Sequence, residues 1–139
     1  MKMNPYLGFN GNCEAAFDFY AQHLGGKITE LHHYGNSPMA EQVPADAHGK
    51  VMHAQLSFAD GQVLMGSDAA GECPFQAIQG ITLSLGTNDV AEAEKIFAVL
   101  SSNGNVTMPL EKTFWAERFG MVTDQFGTPW MINCETVPE

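Results

Sequence analysis

Basic residues are scarce in this sequence. Its 139 residues include six lysines and arginines against sixteen aspartates and glutamates, so the formal net charge at pH 7 is −10. Nucleic-acid affinity depends largely on neutralising phosphates with Lys and Arg, and anionic membrane surfaces attract basic segments for the same reason. The composition therefore predicts that neither nucleic acid nor a membrane is a partner.

Long apolar runs and paired cysteines are also missing. No stretch approaches the roughly 18 apolar residues of a membrane-spanning helix, and no apolar segment follows the single lysine of Met1–Tyr6, as a secretory signal requires. The three cysteines, Cys13, Cys73 and Cys134, are odd in number and widely spaced, which favours reduced thiols over a disulfide framework. We therefore expect a cytoplasmic protein.

Local enzyme motifs are absent as well. The sequence contains no G-x-G-x-x-G, no G-x-x-x-x-G-K-[ST], no H-E-x-x-H and no G-x-S-x-G. It also lacks a glycine-rich strand-to-helix loop for a nucleotide-like methyl donor. No reaction is therefore indicated by a local motif.

Two segments repeat apolar residues at three- and four-residue steps, as amphipathic helices do. They are Asn12–Gly25 and Asp89–Asn103. Asn12 and Asp89 are suited to cap the helix N-termini. Gly25–Gly26 supplies a left-handed stop for the first helix, and Gly104 ends the second.

Runs with strand character surround these helices. They are Pro5–Asn10, Lys27–Tyr34, Val51–Ala59 and Gln62–Ser67 in the first half, and Gly80–Thr87, Asn105–Met108 with Lys112–Ala116, Arg118–Thr123 and Pro129–Cys134 in the second. Asp60–Gly61 is typical of a two-residue hairpin turn and Asp124–Gly127 of a four-residue one. Gly35–Lys50 is predicted to be a long loop, either a functional lid or a mobile connection.

The predicted order, strand–helix–three strands, occurs twice and indicates a duplication. A shift of 78 positions places Gly8–Asn10 on Gly86–Asn88 and Gly26 on Gly104, with six of nineteen positions identical between Gly8 and Gly26. We therefore predict a first module over residues 1–70, a connection over 71–79 and a second module over 80–139, together forming one structural domain.

Several strings of the sequence are distinctive: Pro5–Asn12 leading into Ala16–Tyr20, then Thr113–Gly120, Val122–Asp124 and Phe126–Asn133. They resemble the vicinal-oxygen-chelate (glyoxalase/bleomycin-resistance/dioxygenase) superfamily, in its PhnB-like branch. The resemblance implies an α+β fold of two tandem βαβββ modules with curled mixed sheets, helices on the outer faces and pockets on the inner ones. It also implies a homodimer in which modules of the two chains can pair.

Metal-dependent members of the superfamily place His, Gln and Glu ligands on the first and last strands of each module. In this sequence those positions fall on Asn4 or Pro5, Met65 or Ser67, Gly80 or Thr82, and Met131. None of these side chains is a good ligand for a hard or borderline divalent ion. We therefore predict no metal and no other cofactor, which puts metal-dependent chemistry of the superfamily in doubt.

Strand alternation predicts which side chains line the inner faces. On the third strand, one face is Met52, Ala54, Leu56 and Phe58, and the other is His53, Gln55 and Ser57. The second face is polar but almost uncharged, so it is either a ligand pocket or a solvated surface. The predicted ligand-binding residues are Tyr6, Gln55, Ser57, Met65, Thr82, Ser84, Trp115, Arg118 and Met131. Trp115 could instead belong to the core, and Arg118 could pair with a carboxylate such as Glu117.

His53 is the candidate catalytic residue, because imidazole serves as a general base near neutral pH without tuning. Its alternative role is that of a hydrogen-bonding residue. His32 and His33 are strand neighbours that point to opposite faces and cannot bind one ion together, so we interpret them as surface residues.

Three functions remain open. The first is binding of a small molecule in a homodimer cleft without a metal, as bleomycin-resistance members do. The second is an enzyme of the glyoxalase, dioxygenase or resistance type, either metal-dependent or using His53 as acid and base. The third is an interaction module without a small ligand.

Overall fold

The computed structural model of the chain describes residues 1–70 and 74–135. Cys73 therefore lies outside the described residues. The chain divides into two units, Met1–Ala77 and Ile78–Glu139. The boundary falls inside the predicted connection 71–79.

The first unit is a four-stranded mixed sheet with one helix on it. Its elements are β1 (Tyr6–Phe9), α1 (Cys13–Leu24), β2 (Lys27–His33), β3 (Val51–Ser57) and β4 (Val63–Asp68). The strand order is β1-β4-β3-β2. β1 runs parallel to β4, and the other two pairings are antiparallel.

The second unit repeats this arrangement. Its elements are β5 (Leu83–Thr87), α2 (Val90–Ser101), β6 (Asn105–Glu111), β7 (Ala116–Thr123) and β8 (Pro129–Glu135), in the sheet order β5-β8-β7-β6. Both helices have 12 residues. In the described ranges, no helix has the length and apolar character needed to cross a membrane.

Matching strand registers confirm the predicted duplication. In the first unit Tyr6 pairs with Met65, and in the second Ser84 pairs with Met131. Ser84 is the residue that the 78-position shift places on Tyr6. The predicted α+β fold of two tandem βαβββ modules with mixed sheets is therefore confirmed.

The core of the first unit forms where α1 packs on its sheet. Ala16, Phe17 and Tyr20 of α1 are fully buried, and the Phe17 ring meets the Phe9 ring edge-on at 6.0 Å. A Cβ at Gly66 would lie only 3.1 Å from the Phe17 ring. Gly66 therefore allows the helix to approach the sheet this closely.

The second core has the same plan with other side chains. Ala93 and Leu100 of α2 are buried, as are Trp130 and Ile132 of β8. The Trp130 indole N–H donates to Asp124 Oδ2 at 2.7 Å. This bond satisfies the one polar atom of the tryptophan inside an apolar core.

Asn12, Gly25 and Asp89 occupy the helix-end positions predicted for them, and Gly104 does not. Asp89 caps α2 by accepting from the N–H groups of Ala91 and Glu92, and Gly25 ends α1 in the left-handed conformation. The Asn12 side chain makes no capping hydrogen bond. After α2 the left-handed residue is Asn103 (φ 57°) rather than Gly104.

A carboxylate that is distant in sequence, rather than the Asn12 side chain, accepts hydrogen bonds from the backbone at the start of α1. Asp68 Oδ1 accepts from the N–H groups of Gly11 and Cys13 at 3.0 Å each, and Oδ2 accepts from Val51 N–H at 2.9 Å. Asp68 is almost completely buried. It therefore fastens the end of β4 to the start of α1 and the start of β3.

Both predicted hairpin turns have three residues. Phe58 N–H donates to the Gln62 carbonyl at 2.9 Å, and Asp124 N–H donates to the Thr128 carbonyl at 2.9 Å. These bonds close loops over residues 59–61 and 125–127. The third loop position is a glycine with positive φ in both, Gly61 (88°) and Gly127 (94°), so the predicted lengths of two and four were wrong.

The strand predicted over Lys112–Ala116 is absent, since β6 continues to Glu111 and β7 begins only at Ala116. The Thr113 hydroxyl accepts from the N–H groups of Trp115 and Ala116, and Thr113 N–H donates to the Ala116 carbonyl at 3.0 Å. These local bonds bend the chain here. A threonine turn therefore outcompetes the strand propensity of the aromatic residues.

Gly35–Lys50 is folded on itself by three 3₁₀ turns, Tyr34–Asn36, Ala40–Gln42 and Ala45–Ala47. Gly35 N–H donates to the His48 carbonyl at 3.0 Å, and His48 Nε2 lies 2.8 Å from the Ala40 carbonyl. These bonds hold the two ends of the loop together. Its role as a lid stays a prediction.

Candidate functional site

The face of the first sheet that points away from α1 is called here the first open face. It carries Tyr6 and Gly8 of β1, Lys27, Glu30 and His32 of β2, His53, Gln55 and Ser57 of β3, and Val63, Met65 and Ser67 of β4. Ala54, Leu56 and Leu64 point to the other face and are buried. Four of the predicted ligand-binding residues and His53 therefore share one surface.

Tyr6, Met65, Gln55 and Glu30 form a row across all four strands. Tyr6 pairs with Met65, Met65 with Gln55, and Gln55 with Glu30. Directly paired side chains of neighbouring strands lie about 5 Å apart. A ligand lying across the strands would meet an aromatic ring, a thioether, an amide and a carboxylate in turn.

Four side chains of this face gather into a polar cluster, Tyr6–His53–Glu30–His32. The Tyr6 hydroxyl lies 3.2 Å from His53 Nδ1. The Glu30 carboxylate lies 3.6 Å from His32 Nε2 and 3.9 Å from His53 Nε2. The His53 ring lies parallel to both the Tyr6 ring (27°) and the His32 ring (18°).

A β-bulge at Thr29 brings Glu30 and His32 to this face. Ile28 pairs with Leu56 and Glu30 with Gln55, so Thr29 is an extra residue on β2. The Thr29 hydroxyl lies 3.1 Å from the Ser57 hydroxyl. A bulge shifts the side-chain alternation by one residue, and without it Glu30 and His32 would point toward α1.

His32 and His33 do point to opposite faces, as predicted. His33 Nε2 lies 2.7 Å from Glu14 Oε1 of α1, whereas His32 lies beside His53. A second bulge, at Met52, brings Val51 into the buried position opposite His33. Met52 therefore does not continue the face of Ala54 and Leu56 that the alternation predicted.

A cavity of ≈ 230 Å³ lies where β1 and β4 end. Gly8 and Ser67 form part of its wall and also belong to the first open face, and Tyr34, Pro74 and Phe75 stand around it. The Tyr34 hydroxyl donates to the Asp68 carbonyl at 3.2 Å. The open face thus continues into a concave region at one end.

The corresponding surface of the second sheet, the second open face, is largely apolar. Ser84, Met131 and Met121 form one row, and Gly86, Asn133 and Phe119 form the next. The Asn133 side-chain oxygen is buried and has no hydrogen-bond partner in the described part of the chain. Of the predicted residues, Ser84 and Met131 lie on this face, and Thr82 precedes β5.

Trp115 and Arg118 lie in different surroundings. Trp115 is 50% exposed and makes edge contacts with the rings of Phe114 and Phe119, so it is not a core residue. Arg118 Nε lies 3.4 Å from Glu94 Oε1 of α2, which is the helix side of the sheet. Glu117 pairs instead with Lys112, at 3.9 Å.

The described thiols are unsuited to nucleophilic catalysis. Cys13 and Cys134 are free and buried. Burial raises the pKa of Cys13 to about 12, with Asp68 and Glu14 adding to the effect, and burial raises the pKa of Cys134 as well. Because the thiolate is the reactive form, both side chains act as small apolar groups.

The register also shows what occupies the superfamily's metal-ligand strands. Of the predicted ligand positions, Met65 pairs with Tyr6 in the first unit and Met131 with Ser84 in the second, while Asn4, Pro5, Gly80 and Thr82 precede β1 or β5. None of these positions carries the imidazole or carboxylate donors that a hard or borderline divalent ion needs, so the residues at these positions do not fit such an ion. Within residues 1–70 and 74–135, no group of three or more His, Cys, Asp or Glu side chains is arranged to hold a metal ion.

The two-module fold and the distinctive residue strings of the sequence agree with a family-level comparison. The family model of the glyoxalase/bleomycin resistance protein/dioxygenase superfamily matches residues 2–132. The chain belongs to this superfamily.

Three relatives are similar to this chain over nearly its whole length. Protein YjdN of Escherichia coli is 36% identical over 143 residues, covering 96% of this chain and 95% of that protein. The crystal structure of protein PA1353 from Pseudomonas aeruginosa is 47% identical, with a TM-score of 0.89 over 97% of this chain and 98% of that chain. The PhnB protein of Bacillus cereus is 25% identical, with a TM-score of 0.80 over 96% and 99%. The chain is therefore similar to PhnB proteins over nearly its whole length.

Proposed function

We propose that this protein binds a small organic molecule against its first open face, in the cleft of a homodimer and without a resident metal ion. The observation that carries the proposal is the polar cluster Tyr6–His53–Glu30–His32. It lies beside Gln55, Ser57, Met65 and Ser67. Ligand sites combine apolar and aromatic surface, here the Tyr6 ring and Met65, with a few placed polar groups. We expect the protein to act in the cytoplasm, where its thiols stay reduced.

Exposed apolar side chains of the second unit support the homodimer. Phe114 is 96% exposed, and Val106 and Met108 of the edge strand β6 are more than 40% exposed. Aromatic residues and methionine are enriched at protein–protein interfaces. Light scattering coupled to size exclusion should give twice the monomer mass, and a monomer at high micromolar concentration would contradict the dimer.

The Tyr6–His53 hydrogen bond supports acid–base catalysis as a second candidate function. A phenol and an imidazole in contact can pass a proton between them, and imidazole accepts protons near neutral pH. Both groups lie on the open face, within reach of a bound molecule. The two candidate functions therefore use the same residues but differ in whether the bound molecule is changed.

A fragment screen by NMR, with ¹³C-labelled methionine methyl groups, tests the proposal. Fragments that bind should shift the Met65 signal, since Met65 lies in the row between Tyr6 and Gln55. His53→Ala should weaken binding by about tenfold or less, as expected for one lost hydrogen bond. His23→Ala, at the end of α1, is the matched control.

The same screen separates the candidate functions. A bound fragment that is recovered unchanged supports binding alone, and one that is converted by the wild type but not by His53→Ala supports catalysis. If no fragment shifts Met65, the proposed site is wrong. A rise in Tm with one divalent ion at micromolar concentration, accompanied by stoichiometric metal in elemental analysis, would overturn the metal-free part of the proposal.

A further inference from the structure

The hydrogen bond between Tyr6 and His53 has two possible directions. A neutral imidazole carries its proton on only one of its two nitrogens. If the proton is on Nδ1, His53 donates to the Tyr6 oxygen, and the phenol proton is free for a ligand. If it is on Nε2, the Tyr6 hydroxyl donates to Nδ1, and only its oxygen lone pairs face a ligand. The tautomer of His53 therefore decides which ligand groups Tyr6 can bind.

Glu30 lies next to Nε2, the ring nitrogen whose protonation decides the direction of the Tyr6–His53 hydrogen bond. Its Oε2 is 3.9 Å from His53 Nε2, on the ring edge opposite the Tyr6 contact. A carboxylate attracts the positive end of an N–H dipole, so it favours a proton on the nitrogen that faces it. The other oxygen, Oε1, is 3.6 Å from His32 Nε2, where the same attraction acts.

The remaining charges on this face do not oppose Glu30. Lys27, paired with Ser57 near the start of β2, is the one lysine or arginine in strands β1–β4. It lies on the same face as Glu30, at the next pair along β2 and β3, but no ion pair joins the two side chains in residues 1–70 and 74–135. Glu30 is therefore the charged group nearest the His53 ring.

We infer that Glu30 holds the proton of His53 on Nε2, so that the polar cluster presents acceptors and selects ligands that are hydrogen-bond donors, organic ammonium ions above all. The inference rests on the proposed function, because it names the ligand class of the same site. The Tyr6 oxygen and the Glu30 carboxylate stand at the two ends of one row across the sheet. A ligand with N–H groups can satisfy either end, whereas a carboxylate meets only lone pairs and a negative charge.

The two helix N-termini do not offer an alternative binding site for anions. The N–H groups of Gly11 and Cys13 before and at the start of α1 are taken by Asp68, and those of Ala91 and Glu92 in α2 by Asp89. Both helix starts that would otherwise attract a phosphate or carboxylate thus already hold a carboxylate of the chain itself.

The tautomer can be observed directly. Ring ¹⁵N shifts, which differ between protonated and unprotonated nitrogens, should show an unprotonated Nδ1 and a protonated Nε2 for the neutral His53 ring in the wild type. Glu30→Gln should move the populations toward the other tautomer. Glu14→Gln, which removes the partner of His33 on the helix side, should leave the His53 signals unchanged. A protonated Nδ1 in the wild type would overturn the inference.

Binding of three probes with one skeleton tests the ligand class. Benzylammonium, benzyl alcohol and benzoate are titrated against the labelled protein while the Met65 methyl signal is followed. We expect affinities to fall in that order. Glu30→Gln should weaken benzylammonium by about tenfold, the loss of one charge-assisted hydrogen bond, and should not weaken benzoate.

The outcomes separate this inference from the proposed function. Tighter binding of benzoate than of benzylammonium, or an ammonium affinity that Glu30→Gln leaves intact, overturns the ligand class while the site itself stands. Failure of the whole fragment screen at Met65 removes the site and the inference together. Loss of ammonium binding in Glu30→Gln but not in Glu14→Gln supports both.

Discussion

The two units share one topology but fasten the start of their helices in different ways. In the second unit Asp89, the residue before α2, caps the helix from its own sequence neighbourhood. In the first unit the carboxylate comes from Asp68, at the end of β4 and 57 residues from Gly11. The start of α2 is therefore fixed by local sequence, and the start of α1 by tertiary structure.

The open faces of the two units also differ, in the side chains that they carry. Tyr6 and Ser84 occupy matching positions, as do Met65 and Met131, yet only the first unit surrounds them with two imidazoles and a carboxylate. Residues that face the helices must fill a packed core, whereas residues of an open face are free of that requirement. The duplicated backbone thus carries two chemically different surfaces.

Replacing each of the two capping carboxylates should show the largest difference in stability between the two units. Asp68→Ala should lower the free energy of unfolding by about 3 kcal/mol or more, because each buried N–H left unpaired costs about 1–3 kcal/mol. Asp89→Ala should cost only about 1 kcal/mol, as a solvent-accessible N-cap does. Urea denaturation of both variants, followed by circular dichroism, measures the difference.

A conservative variant shows whether the long-range bonds are responsible. Asp68→Asn keeps one acceptor oxygen and should recover part of the stability that Asp68→Ala loses. Equal losses in Asp68→Ala and Asp89→Ala would mean that the distant cap is no more important than the local one.

The fold was predictable because its main signals are local. Helical spacing located both helices, and period-two alternation placed His53, Gln55 and Ser57 on one face. Asp89 could be recognised as a cap from its position alone. Its counterpart Asp68 could not, since no local pattern connects it with Gly11 and Cys13.

The candidate site was predictable only in part, for a definable reason. Strict alternation along β2 from Ile28 puts Glu30 and His32 on the helix side, and the bulge at Thr29 reverses this. Threonine is an ordinary strand residue, so its sequence context gives no sign of a bulge. The pairing register with β3 supplies the missing information, and it exists only in the folded sheet.

Two glycines on opposite sides of the second sheet allow the packed face and the open face to be compared. A Cβ at Gly120 would lie 2.8 Å from the Phe97 ring and 2.9 Å from Leu110 Cα, whereas at Gly86 it would meet nothing closer than 3.9 Å. Gly120→Ala should therefore cost about 2 kcal/mol through overpacking. Gly86→Ala should change stability by less than about 0.5 kcal/mol. Thermal unfolding of the two variants compares them, and an equally mild Gly120→Ala would show that β6 or α2 yields easily.

The ion pairs between helix and sheet should give the smallest effects. Glu94 of α2 pairs with Arg118, and Glu14 of α1 pairs with His33; all four side chains are partly exposed, so each pair contributes about 0.5 kcal/mol at most. Urea denaturation of Glu94→Gln and Glu14→Gln, with and without about 1 M NaCl to screen the charges, measures both losses. A loss well above the roughly 1 kcal/mol expected of an exposed pair in either variant would mean that this pair stabilises the fold more than its exposure suggests.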